Sequence, residues 1–232
     1  MTQPHESRLV GALLVQTVTT GLIDAVSYLA LGRVFTANMT GNVVFLAFAV
    51  AGAPGLSIPR SAVSLGAFLA GAVAGGRLAG RLGTGPQHRW VATAFAVEAV
   101  LLLVAASAAA AGTRTALFAA YGAIVLTALA MGVRNATVRK LALPDLTTTV
   151  LTLTITGLAA DSALAGGANP RAWRRAASVL SMFLGAGVGA LLVRHSVVLP
   201  LVASGVVSGG CAIAVALTPP DADVAPAPSA RA

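Results

Sequence analysis

Apolar residues run along the chain in eight blocks, 9–31, 36–53, 61–82, 90–111, 115–138, 147–164, 173–193 and 197–217, separated by short polar connections. Helix breakers punctuate them: Gly52, Pro54 and Pro59 after the second block, Gly83, Gly85 and Pro86 after the third, Gly166, Gly167 and Pro170 after the sixth. A helix needs about 20 apolar residues to cross a bilayer. The second and sixth blocks are the shortest and the most polar. The pattern predicts an all-α integral membrane protein with six crossing helices plus two re-entrant or broken polar segments. Eight full spans are the alternative, because a short helix can cross a thin or distorted bilayer.

The second block opens with the run FTANMTGNVVFL, residues 35–46, in which Thr36, Asn38, Thr40 and Asn42 fall at every second position. On a helix these side chains would spread around the axis, and polar groups facing lipid are costly. An element whose irregular backbone lines a cavity fits the run better. Gly41 adds a residue permissive of unusual backbone angles. If a helix begins here, its first amides carry the positive end of the dipole and suit an anion or a carboxylate group. The sixth block supplies Thr147, Thr148, Thr149, Thr152, Thr154 and Thr156 as a possible opposite wall. The bland alternative for both runs is that Asn and Thr bond across a bundle as packing glue, typically at about 0.6 to 2 kcal/mol each.

Composition narrows the class further. The 232 residues are 57% hydrophobic and 9% charged, against roughly a quarter charged in a soluble domain. No window is long enough for a soluble domain, so residues 1–217 read as one transmembrane unit. Residues 218–232 read as a Pro- and Ala-rich disordered tail. The net charge of +8 does not point to nucleic acid, because the fifteen basic residues sit singly or in pairs between apolar blocks. Cys211 is the sole cysteine, so there is neither a disulfide framework nor a thiol pair for a metal. The first apolar run continues for about 22 residues and contains Asp24, too long for the 7 to 15 residues or so of a signal core.

The two halves, about 9–111 and 115–217, resemble one another. Gly21, Asp24 and Ala25 match Gly132, Asn135 and Ala136 at a shift of 111, and Thr40 matches Thr152 at a shift of 112. FLAGAVAG from Phe68 is loosely matched by FLGAGVGA from Phe183. Transporter folds are often built from such repeats, with the site at their interface.

Basic residues test the two topologies. With eight spans they divide seven to eight, which gives no orientation. If the second and sixth blocks do not cross, one side collects Arg8, Arg77, Arg81, Arg89, Arg134, Arg139, Lys140, Arg171, Arg174, Arg175 and Arg231. The split is then eleven to four, as the positive-inside rule requires with both termini cytoplasmic. Three crossings per half make the repeats inverted. Trp90 and Trp173 open their blocks beside basic residues, as headgroup anchors do.

Among candidate site residues, Asp24 lies deep in the first block, where a carboxylate costs about 2.5 to 3.5 kcal/mol on insertion scales. It reads as a cation or proton site or a partner for a substrate amine, or else as a capped or ion-paired acid, with Arg134 as the partner. Glu98, in FAVEAVLLL, reads as a proton-coupling carboxylate or as a neutral packing residue. Asp161 reads as an interfacial anchor. Asn38, Thr40, Gly41, Asn42, Asn135, Thr149 and Thr152, with Asp24, are the candidate substrate-binding set. Gly66, Gly71, Gly75, Gly76 and Gly80, and Gly185, Gly187 and Gly189, suit close helix packing. No catalytic motif is present, and His5, His88 and His195 fall in the tail or loops. An enzyme, a metal site and a cofactor are therefore not expected.

Asp24-Ala-Val-Ser-Tyr-Leu, Phe35-Thr-Ala-Asn-Met-Thr-Gly-Asn, Gly132-Val-Arg-Asn-Ala-Thr-Val-Arg and Pro144-Asp-Leu with the Thr-rich run resemble the YoaK-like family of bacterial membrane proteins. The likeness covers nearly the whole chain and departs at Thr152-Leu153, where a Thr-Gly pair is expected. It implies a polytopic inner-membrane protein and no particular chemistry. The expected function is transport or permeation of a small polar or ionic solute through a site near mid-bilayer. A membrane scaffold that binds a partner or lipid is the alternative. The bilayer is the one partner implied, and oligomeric state is left open.

Overall fold

The computed structural model describes residues 4–83, 85–111, 116–143, 151–169 and 171–218. Thr149, with Thr147 and Thr148, and the tail beyond Thr218 lie outside the described residues. Eight α-helices are present among the described residues: α1 (Pro4–Leu29), α2 (Met39–Val50), α3 (Ile58–Leu82), α4 (Gln87–Ala110), α5 (Ala116–Leu141), α6 (Leu151–Ala160), α7 (Ala172–Val193) and α8 (Val198–Ala216). A 3₁₀ turn at Ala163–Ala165 follows α6. Six helices are long and apolar enough to cross a membrane, while α2 and α6 are not. The chain is an all-α integral membrane protein.

Local chemistry sets the boundaries. Polar Thr36 and Asn38 precede the point at which α2 can begin, so its first helical residue is Met39. It stops at Ala51, where Gly52 takes φ 84°. Ser57 caps α3, accepting a hydrogen bond from the Arg60 amide at 3.4 Å, with Pro59 in the first turn where no amide is missed. Arg139 and Lys140 sit in the last turn of α5, at its negative dipole end.

Glycine governs how closely the helices approach. A Cβ on Gly75 would lie 2.8 Å from the Val133 carbonyl oxygen, and one on Gly189 would lie 2.8 Å from Ala25 Cβ. Gly71 faces Leu129, Gly132 faces Phe68, Gly21 faces Met182 and Gly185 faces Val18, each against backbone. Hence α3 packs backbone to backbone on α5, and α1 does the same on α7. Contacts of this kind replace the hydrophobic drive that lipid removes. By contrast Gly66, Gly76, Gly80 and Gly187 meet nothing within 4 Å. Only part of each glycine stripe is packing surface.

The same contacts give helix directions. Residues 18, 21 and 25 of α1 meet 185, 186 and 189 of α7 in ascending order, so the two run parallel. α3 and α5 are parallel by the same test, Gly71 meeting Leu129 and Gly75 meeting Val133. α4 and α8 are antiparallel, with Glu98 against Ser208 and Leu103 against Gly205. α4 opposes α5 through Glu98 with Arg134 and Ala108 with Gly122, and α1 opposes α8 through Gln16 with Ser208 and Ala12 with Cys211. α1, α4 and α7 therefore run one way and α3, α5 and α8 the other. Both chain ends of the bundle fall on one side, and α2 and α6 are excursions that leave and return on opposite sides.

Trp90 departs from expectation. It is buried in a cluster with Leu13, Phe95 and Val138, because the packed ends of α1 and α5 cover it before any headgroup can. Trp173 is 62% exposed.

The packing makes a graded prediction. Gly71→Ala and Gly185→Ala are each expected to cost about 1–3 kcal/mol by overpacking, read as a lower melting temperature in detergent. Gly66→Ala and Gly76→Ala, in open positions, are expected to leave it unchanged.

Candidate functional site

α1 ends at Leu29, and the chain turns back on itself between residues 30 and 38 through Gly32 (φ 104°) and Arg33 (φ 55°). Three rings brace the turn: Phe35 stacks on Tyr28 at 5.2 Å and on Phe45 at 5.5 Å between centroids. Asn42 fastens it. Its Oδ1 accepts from the Phe35 amide at 2.8 Å, and its Nδ2 donates to the Phe35 carbonyl and, at 3.2 Å, to Ser64 Oγ. Ser64 in turn donates to the same carbonyl at 2.7 Å. Irregular backbone buried among helices has no regular hydrogen-bond partner, and Asn42 satisfies both the amide and the carbonyl of Phe35.

Gly41 lies within α2 in ordinary helical geometry. A Cβ there would meet Phe35 Cδ2 at 2.8 Å, so glycine makes room for the ring and is not chosen for its backbone freedom.

Asp24 is 7% exposed, and its carboxylate accepts a hydrogen bond from the Ala37 amide at 3.2 Å. The amides of Thr36 and Asn38 face it as well. The amides ahead of α2 thus face the carboxyl group of Asp24 from α1. Arg134 is not its partner, because that guanidinium is held elsewhere.

Beside this turn lies a cleft of about 510 Å³ lined by Asn38, Met39, Thr40, Gly41, Val44 and Phe45 of the α2 segment, by Leu151, Thr152 and Ile155 of α6, and by Ala37, Phe68, Asn135 and Met182. Its size is that of a small-molecule pocket, roughly 300–1,000 Å³. Phe68 and Met182 each stand ten residues past the start of their helix, about 15 Å along it. α3 and α7 start on opposite sides, so the cleft borders the middle of both helices.

Five of the predicted residues, Asn38, Thr40, Gly41, Asn135 and Thr152, are brought together there. Asn42 turns away, being 1% exposed and spent on Phe35 and Ser64. Asp24 lies behind the wall.

Glu98 belongs to a second polar centre. Its carboxylate forms an ion pair with Arg134, Nε donating at 2.9 Å and Nη2 closer still, and accepts from Ser208 Oγ at 2.6 Å. Arg134 also donates to the Gln16 carbonyl (2.7 Å), Thr20 Oγ1 (2.7 Å) and Thr19 Oγ1 (2.6 Å). Both ions are fully buried. Reading Glu98 as an isolated acid missed its partner, and counting Arg134 among loop charges missed its depth. The QTVTT run at residues 16–20 was the available signal, since four polar groups on a first helix need something to bond. Asp161, half-exposed, pairs with Arg175 at 2.6 Å near the end of α6. The apolar walls Phe45, Phe68 and Met182 carried no signal, because such residues are everywhere in this sequence.

Six membrane-length helices, with two short ones packed on α3 and α7 and polar groups of both bordering one cleft, describe a polytopic membrane protein. The chain belongs to the family described as protein of unknown function DUF1275, which matches residues 12–217. It is also similar to the UPF0700 transmembrane protein YoaK of Bacillus subtilis (strain 168), with 32% identity over 144 residues. That match covers 62% of this chain and 63% of the relative's length. No solved structure matches it. Membership agrees with the resemblance carried by Asp24 to Leu29 and the Met-Thr-Gly-Asn motif.

Removing one ion of a buried pair strands the other. Glu98→Gln and Arg134→Met are each expected to cost about 3–5 kcal/mol, whereas Glu98→Leu combined with Arg134→Met is expected to recover most of the loss. Denaturation in detergent of the three variants checks the cycle.

Proposed function

We propose that the protein carries a small polar or ionic solute across the membrane through the cleft between α2 and α6. The observation that supports this most is convergence: polar positions from two short helices remote in sequence, with Asn135, border a single space beside the middle of α3 and α7. Polar groups at such depth are a functional hypothesis by default.

An inverted duplication fits the same picture. Applying a shift of 111 to α1 gives α5, and a shift of 114 to α3 gives α7, one residue less than the match of Phe68 with Phe183 implies. Under these shifts the contact of Gly71 with Leu129 becomes that of Gly185 with Val18. That of Gly75 with Val133 becomes that of Gly189 with Leu22. The paired helices run in opposite directions, as inverted repeats demand, and alternating access is commonly a rocking of such halves about a fixed site.

Orientation follows from charge. With Arg134 removed from the loop count, ten basic residues fall by chain position on the side of the termini and four on the other. By the positive-inside rule that count supports a reading with both termini in the cytoplasm, in a bacterial inner membrane. A scaffold role, with the motif acting as glue, is favoured by Asn42 alone, whose bonds are of that kind.

Two measurements bear on the proposal. In proteoliposomes, Asn38→Ala and Thr152→Val are expected to lower solute flux about tenfold or more, with melting temperature unchanged. Variants that lose stability while flux across a broad solute panel stays flat point to the scaffold. In a Cys211→Ser background, a cysteine at Ala51 is expected to label from outside the cell and one at Leu164 only from inside. Labelling of both from one side contradicts the inverted arrangement.

A further inference from the structure

The charge of the occupant follows from which groups the cleft lacks. Its polar lining is amide and hydroxyl, from Asn38, Thr40, Asn135 and Thr152, and no described lining residue is charged. The two ions nearest in the fold are already engaged. The Asp24 carboxylate faces the amides of residues 36–38, and Arg134 is fully buried among Glu98, Gln16, Thr19 and Thr20. An ion that gives up water to sit against these groups meets no counter-charge among the described lining residues. Side-chain amides and hydroxyls instead offer donors and acceptors together, which match a neutral solute bearing the same mixture. The remaining wall is apolar, with the rings of Phe45 and Phe68 and the thioether of Met182, so hydrocarbon or a ring face on the occupant has a surface to cover.

Resting on the transport reading, we propose that the cleft selects an uncharged solute of metabolite size, with hydroxyl or amide groups on one side and an apolar or ring face on the other, and rejects ions of the same skeleton.

The test is melting temperature of the full-length protein in detergent against matched neutral, anionic and cationic triads. Examples are glucose, glucuronate and glucosamine, and phenylacetamide, phenylacetate and phenethylamine, within a library of some hundred such metabolites. Neutral members are expected to raise the melting temperature at least tenfold more often than their charged analogues. The shift is expected to vanish in Asn38→Ala and Thr152→Val. Thr152→Asp, which adds a carboxylate to the wall, is expected to bring in the amine member of a triad that the parent protein binds only as the neutral form. Charged members that stabilise through Asn38 and Thr152 while neutral ones do not would overturn the neutral class and leave the site standing. Shifts that ignore Asn38, Thr152 and Thr152→Asp alike, or no shift with any triad, would overturn both the class and the cleft as a binding site.

Discussion

Arg134 reaches two other helices from its place in α5, and through Glu98 the centre takes in a third. Its guanidinium bonds Glu98 on α4 and Gln16, Thr19 and Thr20 on α1, while Ser208 of α8 closes the far side of the carboxylate. In hydrocarbon no water relieves a missing bond, and the register adopted gives the guanidinium and the carboxylate their partners while Gln16 Nε2 is left buried without one. Backbone contacts at Gly71, Gly132, Gly21 and Gly185 then bring α3 and α7 onto that centre. The cleft is what remains between the two pairs. Its position depends on an ion pair that does not line it.

That dependence explains why the architecture was legible in the sequence and the site only half so. Apolar blocks announce spanning helices by length, and α2 and α6 announced themselves by being short and polar. The polar residues that reach the cleft were visible because Asn and Thr are conspicuous in such company. Their division of labour was not. Asn38 and Asn42 are four residues apart in one motif, and only the fold shows that one borders the cleft while the other closes a turn on Phe35 and Ser64. Glu98 and Arg134 are separated by 36 residues, and nothing in spacing ties a lone acid in one helix to a base near the end of the next.

The two halves are furnished unequally. Where α2 is fixed by Asn42, by Asp24 and by three stacked rings, α6 makes its described polar ties near its C-terminal end, through Arg175 to the Gly157 carbonyl and to Asp161. On the duplication proposed above, Thr154 falls where the first half has Asn42 and Ser178 where it has Ser64, and Ser178 is buried with its hydroxyl unpartnered. A hydroxyl cannot donate twice and accept as an amide does, so Thr154 cannot form the latch that Asn42 does.

Asp24 sets a condition on anything negative that approaches the start of α2. The carboxylate facing those amides is joined to them through only a dozen residues of chain. It competes as an intramolecular ligand, at an effective concentration of the order of millimolar for a short tether. A group approaching the amides of residues 36–38 therefore finds them already faced by the protein's own side chain, whereas the amides of Thr40 and Gly41 inside α2 are not among those Asp24 faces.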